Sequence, residues 1–162
     1  MTGSYPAMTD YRSAITLLIA VVVIAATSAC EDWREERQLV EGKISDASCR
    51  IDMNRCSARF DDGTRISVRI EQSPVRPLEP LDFHVLVSGI EPKNITMDLV
   101  GITMNMGPNS FPLLNTSRQG EYAGQGMVPI CIRDRMEWHA VVRMETPEKI
   151  YETPFRFDVS RR

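Results

Sequence analysis

The chain has only two histidines in 162 residues, aromatic side chains at 7%, and nearly balanced charge, with 19 basic against 22 acidic groups. Each scarcity excludes something. With His84 and His139 as the only imidazoles, few general bases are available, and neither sits in a motif that would join it to a nucleophile and an orienting group. No P-loop, dinucleotide fingerprint, His-Glu-x-x-His or Cys-x-x-Cys occurs, so the chain is expected not to be an enzyme. A net charge of −3 without a basic run argues against nucleic acid as a partner. After Cys49 no segment sustains a helical period, which points to strands.

The first thirty residues stand apart. Tyr11-Arg12-Ser13 precedes an uncharged apolar run from Ala14 to Ala26, followed by the small residues Thr27-Ser28-Ala29 and then Cys30. That order is the n-region, h-region and cleavage region of an export signal, and the run is shorter than the roughly 20 apolar residues a membrane span needs. Ala26-Thr27-Ser28-Ala29-Cys30 resembles the lipobox of bacterial lipoproteins, with Thr27 where an aliphatic residue is usual. The resemblance implies lipidation of Cys30; plain cleavage and an uncleaved signal-anchor are the alternatives. The expected location is the periplasmic side of a bacterial membrane, held by lipid or by the anchor.

Without these 30 residues the 162-residue chain retains 132, room for one domain and a short tether. Residues 31–48, charged and lacking a sustained apolar face, read as a solvated tether, with a short helix conceivable across residues 33–40. Residues 49–162 read as the folded domain.

Within that domain, short alternating segments are separated by turn residues. Ile66, Val68 and Ile70 fall on one side of a strand entered from an Asp62-Gly63 turn, giving a hairpin. Three prolines at 74, 77 and 80 make the next stretch an edge or connection. Leu81, Phe83, Val85 and Val87 alternate again, and further strands are expected across 95–99, 103–107, 111–114, 121–127, 138–144 and 151–159. The expected fold is all-β, an immunoglobulin-like two-sheet antiparallel β-sandwich of about seven or eight strands following an N-terminal signal helix. Trp138 reads as a core anchor, while His84 and His139 alternate away from the apolar face.

Sulfur is the chemistry left. The cysteines are Cys30, Cys49, Cys56 and Cys131; with Cys30 lipidated, three remain, and an odd thiol follows. The preferred pairing is Cys49 with Cys56, leaving Cys131 reduced, although Cys131 bonded to either of the others is an open alternative. Six methionines crowd the second half of the domain. On a strand, Met104 and Met106 would share a face, and Met136 follows Cys131 by five positions. Thioether and thiolate donors select Cu(I), so Met104, Met106, Cys131 and Met136 form a candidate copper site. Core packing is the competing reading for each methionine.

Met104-Asn105-Met106-Gly107, Leu113-Leu114, Gly120-Glu121-Tyr122-Ala123-Gly124, Met136-Glu137-Trp138 and the aromatic-rich 151–157 segment follow one another in an order similar to that of YtkA-like and FixH-like periplasmic domains. The resemblance spans roughly residues 81–159. It implies a membrane-tethered immunoglobulin-like sandwich associated with copper handling or respiratory oxidase assembly, with Met104 and Met106 on the family's Met-containing strand. Cys131 and Met136 depart from that pattern by adding sulfur. An envelope or oxidase-assembly protein is the implied partner; an interaction module that binds no metal is the alternative.

Overall fold

In the Phe60-Asp61-Asp62-Gly63-Thr64 segment the backbone folds back on itself. Phe60 N–H donates to Thr64 O (2.9 Å), the Asp62 carboxylate accepts from Thr64 N–H (3.0 Å), and Gly63 takes a φ of 88° that only glycine adopts freely. The hairpin so formed joins β3 (Cys56–Arg59) to β4 (Arg65–Ile70). A computed structural model describes residues 37–104, 106–107, 109–129 and 133–161. Its other strands are β1 (Gln38–Glu41), β2 (Lys43–Ile44), β5 (Leu81–Ser88), β6 (Asn94–Gly101), β7 (Ser110–Pro112), β8 (Leu114–Asn115), β9 (Glu121–Gly126), β10 (Arg135–Glu145) and β11 (Lys149–Ser160).

These strands form an all-β sandwich. One sheet has the order β1-β11-β10-β6-β7 and the other β2-β3-β4-β5-β9-β8, every pairing antiparallel except β1 with β11. Period-2 alternation decides which side chains meet between the sheets: Met136, Trp138, Ala140, Val142 and Met144 point inward from β10, and Tyr151, Phe155, Phe157 and Val159 from β11. Phe83 reaches across from the other sheet, its ring centroid 6.5 Å from that of Phe157, which stacks on Trp138 at 6.5 Å. Each such burial contributes roughly 1.5–3 kcal/mol, whereas an exposed ion pair adds about 0–1 kcal/mol. The aromatic interior therefore holds the sheets together.

Three sequence expectations are corrected. Residues 38–44, expected within a tether and beside a short helix, form β1 and β2, and the compact unit begins at Arg37 rather than at residue 49. The backbone of this charged segment is satisfied by the sheets: Gln38 N–H donates to Glu148 O and Gly42 N–H to Glu152 O, so pairing, not an apolar face, recruits it. Residues 103, 104, 106 and 107 are not in a strand, because β6 ends at Gly101 and bends follow through Met104, with Gly107 at a φ of 78°. The stretch expected as one strand across 111–114 is divided between the sheets, β7 on one and β8 on the other, with Leu113 N–H held by Ile95 O at 2.9 Å. Such divisions, together with β1 and β2, raise the strand count to eleven among the described residues.

Both sides of the sandwich are finished in the same way. The β1–β2 segment crosses from one sheet edge to the other at Gly42, and the β7–β8 segment does so at Leu113. All four edge strands are thus halves of a chain that changes sheets, two to four residues each. Short edges of this kind offer little template for a further strand.

Candidate functional site

β6 ends on Gly101, which lies opposite Trp138 of β10 and occupies an inward-facing position. Without a side chain there, neighbours close in. A Cβ on Gly101 would collide with Met136 Cε, lie 2.7 Å from the Met104 carbonyl oxygen and come within 3.5 Å of Met106 Cγ. Three of the four candidate residues therefore approach one another at this end of the sandwich, Met136 and Met106 by their side chains and Met104 by its backbone. Met136 is buried at the start of β10, two positions before Trp138 on the same face; Met104 and Met106 are half-buried on the β6–β7 connection and pack against the core. The shared strand face expected for Met104 and Met106 is not what joins them. They are brought together by the bend after Gly101.

The surroundings of this end are apolar and hydrogen-bonded. Trp138 is 1% exposed, and its indole Nε1 is buried without a hydrogen-bond partner. Asn109 Nδ2 donates to Met127 O at 2.7 Å, tying the β6–β7 connection to the chain that leaves β9. On the opposite face of β10, Arg135 Nε donates to Asp158 Oδ2 at 2.6 Å, and Arg50 reaches the same oxygen at 2.6 Å. Burial alone would push the Asp158 carboxyl up, but the two arginines outweigh it and hold it below the usual range. The first residues of β10, including Met136, are thereby fixed against β11.

Thioethers are soft, uncharged donors, and methionines brought near an indole suit a monovalent soft ion better than a hard divalent one. Among the described residues no group of three or more His, Cys, Asp or Glu side chains could hold a metal. Among the described residues, the soft donors at this end are methionine sulfurs. Cys131 and Cys30 lie outside the described residues, as does the signal segment. Cys49 and Cys56 are joined in a disulfide, Cα to Cα 5.7 Å.

Neither histidine is free on the surface as alternation suggested. His84 Nε2 lies 3.3 Å from Glu71 Oε2 while its Nδ1 is buried and unpartnered. His139 is half-buried, and burial, helped by nearby Arg156, pushes its pKa below the ordinary imidazole value. Both stand on outer faces of the sheets, away from Gly101.

A second group of polar residues escapes a reading tuned to apolar periodicity. On the outer face of the β3–β4 hairpin, Arg55-Cys56-Ser57-Ala58-Arg59 and Arg65-Ile66-Ser67-Val68-Arg69 repeat one Arg-x-Ser-x-Arg spacing. The period-2 rule that marks Ile66 and Val68 as buried marks this face equally well. No protein-family model, no curated protein and no solved structure matches the chain.

Proposed function

We propose that this chain is a non-enzymatic accessory protein of the bacterial envelope that binds Cu(I) through the methionines gathered around Gly101. In this reading the N-terminal segment exports the chain and tethers it by lipid at Cys30. The sandwich then works on the periplasmic side, binding or delivering copper, with respiratory oxidase assembly as the destination that the YtkA-like resemblance suggests. The observation that carries the reading is the approach of the Met136 and Met106 side chains and the Met104 backbone to one glycine opposite a tryptophan, although Met136 follows the other two by thirty positions or more. Delivery is compatible with such a set, since neutral thioethers hold Cu(I) without a charge that must be displaced on release.

Anaerobic titration of the purified chain with Cu(I) against a competing chelator tests this. One equivalent should bind, and Met104→Ala/Met106→Ala should weaken binding by at least tenfold. Equal binding by that variant would refute the ligand assignment. Cys131→Ala, run alongside, decides whether the thiol five positions before Met136 is a further ligand.

A second reading, an interaction module that binds no metal, is favoured by Val100, Ile102 and Met127, which are 47%, 43% and 49% exposed beside the same end. It requires a stable protein partner recoverable by crosslinking in membranes, and no copper in the titration.

A further inference from the structure

The outer face of the β3–β4 hairpin carries an arrangement that is unfavourable on its own. Arg59 and Arg65 are directly opposite each other, and Lys43 of β2 lies opposite Arg59, so three cations occupy consecutive positions across three strands. Directly opposed side chains have Cβ atoms about 5 Å apart, and like charges there repel. Lys43 is neutralised by Asp61, its Nζ 2.8 Å from Oδ1. The arginines are not: among the described residues Arg55, Arg59, Arg65 and Arg69 make no ion pair, and Arg69 Nε is buried without a partner. In a chain with an overall charge of −3, carboxylates are plentiful, yet those nearby are engaged elsewhere. Glu71 pairs with His84, Asp62 with Tyr151, and Glu121 accepts from Thr116.

The opposed arginines border a depression of about 420 Å³. Hydroxyl-bearing residues flank them along the same depression: Ser57 and Ser67 are paired in the next row, and Ser88 stands opposite Arg65 on β5. Leu86, 39% exposed, supplies an apolar wall. Guanidinium and hydroxyl groups lining one depression make a donor-rich surface, the complement of a tetrahedral oxyanion.

From this geometry we propose that the outer face of the β3–β4–β5 sheet binds a soluble phosphate monoester, whose phosphate lies between Arg59 and Arg65 with Ser57, Ser67 and Ser88 as hydrogen-bond donors and Leu86 against its organic part. Charge complementarity selects the anion, and the depression favours a small molecule over a flat surface. This site is on the opposite sheet from Gly101 and does not depend on copper.

The full chain, titrated with inorganic phosphate and with glycerol 3-phosphate against sodium chloride at matched ionic strength, tests the proposal. The phosphate probes should raise the melting temperature more than chloride does and shift the amide signals of Ser57, Ser67 and Ser88. Arg59→Gln/Arg65→Gln should require at least tenfold more of either probe for the same effect. Because both side chains are exposed, that variant should fold, and without ligand at low salt it should melt higher than the parent, since the repulsion is gone. Chloride matching phosphate, or a variant responding like the parent, overturns the proposal. So does binding to phosphatidate-containing vesicles without any response to the two soluble probes, which would make the face a membrane contact.

Discussion

At the scale of single residues, the glycine at 101 and the aspartate at 62 control more than their size suggests. Gly101 is the position at which the Met136 and Met106 side chains, the Met104 backbone and the end of β6 crowd together, so a methyl group there must displace either Met136 Cε or the Met104 carbonyl. Backbone is the harder of the two to move. Gly101→Ala should therefore destabilise the sandwich by roughly 1–3 kcal/mol, as overpacked sites do, measured by urea unfolding. It should also weaken Cu(I) binding if the methionines are ligands. Asp62 accepts a 2.6 Å hydrogen bond from the Tyr151 hydroxyl, and that bond is the chief reason its own pKa falls to about 2. Burial first, and then this bond, push Tyr151 up to about 12. In Asp62→Asn the charge that opposes ionisation is gone but burial persists, so ultraviolet titration should show a tyrosine midpoint below about 12 and still above the ordinary value of 10.

At the scale of elements, the places where a strand changes sheets are the least forgiving. Gly42 has Phe60 ring carbons and Thr153 Cβ within 2.9 Å of where a Cβ would stand, and its carbonyl accepts from Thr153 Oγ1 at 3.2 Å. Gly42→Ala should cost roughly 1–3 kcal/mol in the same unfolding measurement, because both the β1 and β2 pairings run through that point. The disulfide joining Cys49 to Cys56, seven residues apart, anchors the entry to β3. On the chain-entropy account a loop this small contributes about 2–3 kcal/mol, and Cys49→Ser/Cys56→Ser should lose that much. Much of this architecture was legible beforehand: β4, β5, β10 and β11 declare themselves by a period-2 alternation in which most inward positions are apolar. What was not legible shares one cause. β1, β2, β7 and β8 are too short for a period to register and are defined by the partners they hydrogen-bond. Residues 103–107 imitated a strand because Met104 and Met106 alternate, while a bend past Gly101 decides their placement. What brings Met104, Met106 and Met136 near one another is thus a bend and a glycine, not a shared strand face. The arginine–serine face went unnoticed since only its buried side was being counted.

At the scale of the whole molecule, titrating groups from both sheets set the range of pH over which the sandwich is stable. Burial lowers His139, so the folded state prefers the neutral ring; that contribution is complete above the unfolded value near 6.5 and declines as pH falls through it. A carboxylate tier follows. Hydrogen bonds lower Asp62 to about 2, and Asp82 and Asp158 are also lowered, through bonds from Gln125 and Gln72 in the first case and from Arg50 and Arg135 against burial in the second. Their stabilisation is present above the unfolded carboxylate range near 4 and is lost as pH falls below it, for Asp62 by about 2. On the alkaline side, Tyr151 holds its proton up to about 12, so its contribution is intact below 10 and disappears between 10 and 12. Unfolding free energy measured across this range should therefore rise from pH 2 to 4, gain a smaller increment through pH 6.5, stay level to about 10 and then fall. His139→Gln should remove the increment near 6.5 and leave the acid and alkaline limbs in place. An unchanged increment in that variant would refute the assignment to His139.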